Sequence, residues 1–165
     1  MANNIGAGAR SYFGTAATPV LPFTTGQPTA AQRTAHEVTD SLTNFNVTTT
    51  QGTVDITKLS ADRDAFFRRH IAGLNDANAG GRYGDDETGA FERRADAIQQ
   101  GTAHPRGRGK VDFIHRPHGD GLGKIQYRGT MSIPSISSSN EVETEIGGDI
   151  SYKIDGRIHK ELQTA

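Results

Sequence analysis

The sequence has no cysteine and no tryptophan, and only two methionines among its 165 residues. Without cysteine there are no disulfides, no thiolate nucleophile and no cysteine-based metal site. No run of about 18 apolar residues is present, so no membrane-spanning helix is expected. The first residues show neither a basic start nor an apolar stretch of the secretory kind, so synthesis and first assembly in a cytoplasm are expected. Strong net charge is also lacking. The formal balance is −1, and nothing global calls for a nucleic-acid, membrane or acidic-substrate partner. Hydrophobic residues make up only 33% of the chain, a thin core for this length, so part of the chain is expected to lie outside it.

What the chain has in abundance is glycine, 20 residues, together with many Ser and Thr. These favour turns, strands and extended arms over helix bundles. Residues 1–35 are rich in Ala, Gly, Thr and Pro. Pro19, Pro22 and Pro28 interrupt any regular element there. Tyr12, Phe13, Val20, Leu21 and Phe23 are large apolar residues in this poor context. They are expected to act as anchors of an extended arm that orders on a neighbouring subunit, the plain alternative being a disordered tail. The rest, 36–165, reads as one domain.

Within that domain, 37–57 reads as extended, with a turn or bulge at Gln51-Gly52. A helix is expected over 60–72. Ser60 is its N-cap, Asp62 and Asp64 lie in the first turn, Phe66, Phe67 and Ile71 share a face, and Gly73 ends it. Residues 75–86 predict a short strand or loop around Arg82 and Tyr83. A second helix is expected over 87–100, with Phe91, Ala95 and Ile98 as its apolar stripe and Gly101 as its stop. A basic, glycine-rich loop spans 102–110. A strand follows at Val111, Phe113 and Ile114, then a turn at His118–Gly121.

The C-terminal third carries the clearest pattern. From Lys124 to Ile133 apolar and polar residues alternate, with Pro134 expected to end the ladder. From Val142 to Ile158 every large apolar residue sits at an even position: Val142, Ile146, Ile150, Tyr152, Ile154 and Ile158. The odd positions include Glu141, Glu143, Glu145, Asp149, Lys153 and Asp155. A one-residue slip would bury the acids, so the register is strongly specified. The two segments predict a long hairpin, closed through the Ser- and Asn-rich turn at 137–140 and kinked at Gly147-Gly148. The fold class that follows is mainly β, within α+β: an antiparallel β-sandwich flanked by one or two short helices, with a long C-terminal β-hairpin and an extended N-terminal arm.

No arrangement of residues points to catalysis. His115 and His118, with Asp112 and Asp120 near, have the composition of a metal site, but residues three apart on a strand end and turn do not share a face. Gly119-Asp120-Gly121-Leu122-Gly123 opens no helix and is not a phosphate-binding loop. No nucleophile elbow or Ser/His/Asp set is present. Neither an enzyme nor a cofactor is expected. The row Glu141, Glu143, Glu145 and Asp149 has a different use if several copies close into a ring. Apolar hairpin faces then pack on each subunit's own core, while acidic faces line a channel whose wall does not hold DNA.

Several segments resemble the major tail (tail tube) proteins of bacteriophages. Val54-Asp55-Ile56-Thr57-Lys58-Leu59-Ser60 resembles the family's V-D-V-T-T-L-D-S stretch. Ile71-Ala72-Gly73-Leu74-Asn75-Asp76 resembles its I-A-G-L-x-D ending. Lys110 to Arg116 looks like the following strand. Gly129-Thr130-Met131 with Ile133-Pro134-Ser135 is similar to its G-x-V-x-x-x-x-P-S strand, and Ile154-Asp155-Gly156-Arg157 to the close of its last strand. The resemblance covers roughly residues 45–158. It implies a self-assembling virion subunit whose hexameric rings stack into a tube for genomic DNA. Its partners would be further copies, other tail and head–tail proteins, and DNA in transit, with no membrane. It also implies that residues 1–35, and the loop around 75–88, bridge rings. Three other readings compete: a head–tail connector or capsid decoration protein, a nucleic-acid-binding module using Arg106, Arg108, Lys110, Arg116, Lys124 and Arg128, and a metal-dependent hydrolase on His115 and His118.

Overall fold

The computed structural model describes residues 8–55, 70–84, 88–101, 103–138 and 147–165, with the backbone alone for 52–55 and 70–76. It is mainly β. Strands β1 (Arg10–Phe13), β6 (Lys110–Arg116), β7 (Ile125–Ile136), β8 (Gly147–Leu162), β3 (His70–Gly84) and β2 (Leu42–Asp55) form one sheet in that spatial order. Every neighbouring pair is antiparallel. Strands β4 (Ala103–His104) and β5 (Gly107–Arg108) form a separate miniature hairpin. Two helices, α1 (Ala30–His36) and α2 (Ala90–Gln99), accompany the sheet.

The sheet curls until its two ends share a core. Phe45 of β2, at one end of the strand order, lies 5.7 Å from the ring of Phe13 on β1, at the other end. It also meets Phe113 of β6 at 6.0 Å and Tyr152 of β8 at 5.4 Å. One curled sheet thus supplies the two facing layers expected of a sandwich. Helix α2 closes the core with Phe91, Ala95 and Ile98, all buried as the apolar stripe requires. Gly101, at φ 116°, ends it where an L side chain would be strained.

Strand β3 departs from the sequence reading. Most of the expected 60–72 helix lies outside the described residues, but its last residues, 70–72, are strand, and the short element expected around Arg82 extends over His70–Gly84. Its small residues are the reason. Ala79 pairs with Val47 and Tyr152, and Gly81 with Phe45 and Ile150, so bulky neighbours on both sides fill the space over a strand with little side-chain volume. Gly81 also passes so close to the carbonyl of Asn44 that a Cβ would overlap it. Gly81→Ala is expected to cost about 1–3 kcal/mol, read as a lower urea midpoint with unchanged slope.

Strands β7 and β8 pair as the alternation requires, while Val142, Ile146 and the end of the expected turn at 137–140 lie outside the described residues. Ile150, Tyr152 and Ile154 are buried while Asp149 and Lys153 are exposed. Two details differ. Pro134 does not end the ladder: a register shift between Ser132 and Ser135 absorbs its missing N–H, and β7 runs on to Ile136. A further irregularity falls opposite the Arg128–Thr130 step of β7, where β8 passes through Gly156 at φ 83°. The bulge foreseen at Gln51-Gly52 is present as the register shift between Gln51 and Thr53.

Residues 8–35 also hold more structure than their composition promised. Tyr12 pairs with Ile114 in the sheet, and Thr29 and Gln32 form a reciprocal capping box at the start of α1. Tyr12 and Ile114 face away from the main core. Leu21 and Phe23, from the strap of residues 14–27, cover them and form a second small core on the opposite side of the sheet.

Candidate functional site

The strap and the β4–β5 hairpin cover part of the sheet's outer surface, but among the described residues the face formed by β7, β8, β3 and β2 remains open. Its side chains are those not used by the core. Along β8 they are Asp149, Ser151, Lys153 and Asp155, alternating with buried Ile150, Tyr152 and Ile154. Cross-strand register extends each into a polar row. Lys153 is flanked by Ser132 and Asn78, with Thr48 beyond. Ser151 is flanked by Ser135 and Gly80, with Asn46 beyond. The hydroxyls of Ser135 and Ser151 are 2.6 Å apart. Arg82 and Asp149 approach to 3.5 Å, but both are largely exposed, so their pairing adds little stability. The result, among the described residues, is a broad surface of polar side chains, mostly short, with Arg82 and Lys153 as long cations.

One end of the sheet is capped, and the other is open among the described residues. The edge of β1 is covered by the chain that follows α1: Val38 N donates to the Ser11 carbonyl at 2.9 Å, and Ser11 N to Thr39 Oγ1 at 3.0 Å. Among the described residues, the outer edge of β2 has no strand beside it. A groove of about 520 Å³ runs along it, lined by Phe45, Val47, Thr49, His115 and Tyr127. A long, Thr-rich edge strand is a template for pairing with another chain.

The expected site residues scatter. Asp149 stands exposed on the open face. Glu141, Glu143 and Glu145 lie outside the described residues. Of the five arm anchors, Tyr12, Phe13, Leu21 and Phe23 are buried on the chain's own two cores, and Val20 is exposed. Within the single chain those four pack intramolecularly. The cause is non-local: β6 offers Ile114 to one face of β1 and Phe113 to the other, which sequence alone does not reveal.

The four residues of the metal-like cluster are used separately. His115 is buried beside Ser11 Oγ (2.9 Å) and the Phe45 ring (5.0 Å), and burial pulls its pKa down to about 4. His118 sits on the turn. Asp112 binds His104 Nε2 at 3.0 Å and accepts from Thr130 Oγ1 at 2.9 Å. Asp120 accepts from Arg116 Nη1 at 2.6 Å and from the Tyr12 hydroxyl at 2.8 Å. Among the described residues, no three His, Asp or Glu side chains converge on a point a metal ion could occupy.

Arg116 was the node that sequence reasoning misplaced, as one cation of a nucleic-acid surface. It is fully buried, lies over the rings of Tyr12 (5.6 Å) and Phe23 (5.9 Å), and bonds Gln126 Oε1 at 3.0 Å and the Gly26 carbonyl at 2.8 Å. Gln163, also buried, ties the C-terminal residues to the same corner through Gly121 N (3.0 Å) and the Gly119 carbonyl (2.9 Å). The signal available in sequence was Arg116 followed by Asp120, an i,i+4 pair across a turn.

No family model and no curated protein matches this sequence. Solved structures do share its fold. A chain from the SPP1 tail tube, determined by solid-state NMR and cryo-EM, superposes with a TM-score of 0.63 at 13% identity, over 97% of this chain and 80% of that one. A chain from the tail of the empty gene transfer agent (GTA) particle, refined helically with C6 symmetry, gives 0.54 at 19% identity over 76% and 83%. A chain from the native GTA virion gives 0.54 at 18% identity over 73% and 85%. At these identities the likeness establishes the fold.

Proposed function

We propose that this chain is the structural subunit of a phage-type tail tube. In this reading six copies close into a ring, rings stack, and the open face of β7, β8, β3 and β2 lines a lumen for genomic DNA. The observation that carries it is the combination of that polar face with an edge of β2 that has no partner strand among the described residues, in a fold shared with chains of tail structures. Ring closure would give β2 a neighbour and remove the exposed edge. Glu141, Glu143 and Glu145 would then join Asp149 toward the lumen. The role is structural rather than catalytic, placed in the virion tail after assembly in the host cytoplasm, with other tail and head–tail proteins at the tube ends.

Negative-stain microscopy of the purified full-length chain at rising concentration is the direct test. Hollow filaments with six-fold end views are the expected result. Closed rings that never stack would favour a head–tail connector, shell-bound trimers a decoration protein, and a monomer at all concentrations would overturn assembly altogether.

A further inference from the structure

One strongly charged patch lies on the outer side of the sheet beside the open face. Lys110, Ser132 and Lys153 occupy one register row across β6, β7 and β8. All three belong to the side opposite the core residues Val111, Met131, Ile133, Tyr152 and Ile154. Two lysines with one strand between them stand about 10 Å apart. The β4–β5 hairpin lays Arg106 on the same side, its Nη1 donating to the Asp155 carbonyl at 3.1 Å. The carboxylates here are Asp155, held by Lys110 Nζ at 2.9 Å, and Asp112, one register row from Lys110 and bonded to His104 and Thr130; Lys110 Nζ also donates to the Arg106 carbonyl at 3.0 Å. Lys153 is exposed and makes no ion pair among the described residues, and Arg106 has no carboxylate partner among them. Among the described residues, three cations against these two carboxylates leave a net positive band.

We propose that Arg106, Lys110 and Lys153 form a contact site for the phosphate backbone of duplex DNA, weak and independent of sequence. The inference rests on the tube reading, which puts the neighbouring open face toward the passing genome. Six copies would make a positive ring in a wall otherwise polar or acidic. The chemistry favours phosphate over a protein partner, because the cations stand among hydroxyls (Ser132, Ser135 and Ser151) with no apolar pocket for an anchoring side chain. It favours duplex over single strand, because among the described residues no aromatic ring stands in the band to stack a base.

The test is binding of a fluorescein-labelled 30-base-pair duplex to the dispersed full-length protein, followed by anisotropy from 50 to 200 mM salt, with filament formation scored separately. Three phosphate contacts predict that affinity falls about 40-fold over that range, and that Arg106→Gln with Lys153→Gln reduces the fall to about fourfold. The double variant is expected to form filaments as the wild type does. Filaments without duplex binding at 50 mM salt overturn this proposal and leave the tube reading intact. A double variant that binds duplex normally but no longer assembles also overturns it, and makes the band a contact for an acidic segment of another copy. Wild-type protein that forms no filaments removes the tube reading, and this proposal with it.

Discussion

Arg116→Met is expected to destabilise the subunit by about 3–5 kcal/mol, enough to lower its melting temperature by about 10 °C. The guanidinium is fully buried on the outer side of β6, against the rings of Tyr12 and Phe23. Removing it leaves the Asp120 carboxylate without its closest cation and frees Gln126 Oε1 and the Gly26 carbonyl. Arg33, at 3.1 Å from the other carboxylate oxygen, is exposed over more than a third of its side chain and offsets little of this. Arg116→Lys is expected to be nearly as damaging, because an ammonium cannot reproduce the planar set of bonds to Asp120, Gln126 and Gly26. The double change Arg116→Met with Asp120→Leu removes the stranded charge and is expected to recover part of the loss. Because the node holds the strap of residues 14–27, the single variant is also expected to be cut there by protease before the sheet unfolds. Urea unfolding and limited proteolysis are the measurements; a single variant within 1 kcal/mol of wild type would refute the assignment.

Acid is expected to loosen the seam where the two ends of the sheet meet. His115 lies there against Phe45 of β2, with Ser11 Oγ as its polar partner and Tyr127 across the groove. Burial holds its pKa at about 4, against 6.5 for a free imidazole. The folded protein therefore binds fewer protons than the unfolded chain between these values. Stability is complete above pH 6.5 and falls as the pH drops toward 4, by up to about 3 kcal/mol. His36, buried against the Phe13 carbonyl and also shifted down by burial, acts in the same direction. Urea midpoints measured from pH 7 to pH 4 should follow this course in the wild type and flatten in His115→Gln. A variant with the same acid dependence as the wild type would place the effect elsewhere.

The two results address parts of the molecule that differed in how visible they were beforehand. The β7–β8 hairpin was readable because a half-buried strand repeats every two residues, and a long run of one parity allows a single register. Helix α2 was readable for the same kind of reason at helical spacing, through Phe91, Ala95 and Ile98. Strand β3 was not, because Ala77, Ala79, Gly80 and Gly81 carry no hydrophobic period of their own. Their strand state comes from the bulky neighbours of β2 and β8 that pack over them. Helix α1 had a legible start in Thr29 and Gln32, but it is only seven residues long and follows a proline-rich stretch.

The candidate site divides similarly. The alternation that buries Ile150, Tyr152 and Ile154 assigns Asp149 and Lys153 to the open side, so the polarity of the face was written in the chain. Its charge as a surface was not, since Lys110 and Arg106 come from distant segments and meet Asp155 only through the register of three strands and a hairpin.

The sequence by itself determined which sides of β7 and β8 are apolar, because side-chain direction in a strand is a local consequence of the pleat. Only the tertiary structure decided which strands lie side by side, that the sheet curls to bring Phe45 onto Phe13, and that Arg116 is buried while Arg106 stays in water. Those outcomes depend on contacts between residues far apart in the chain, and no local pattern encodes them.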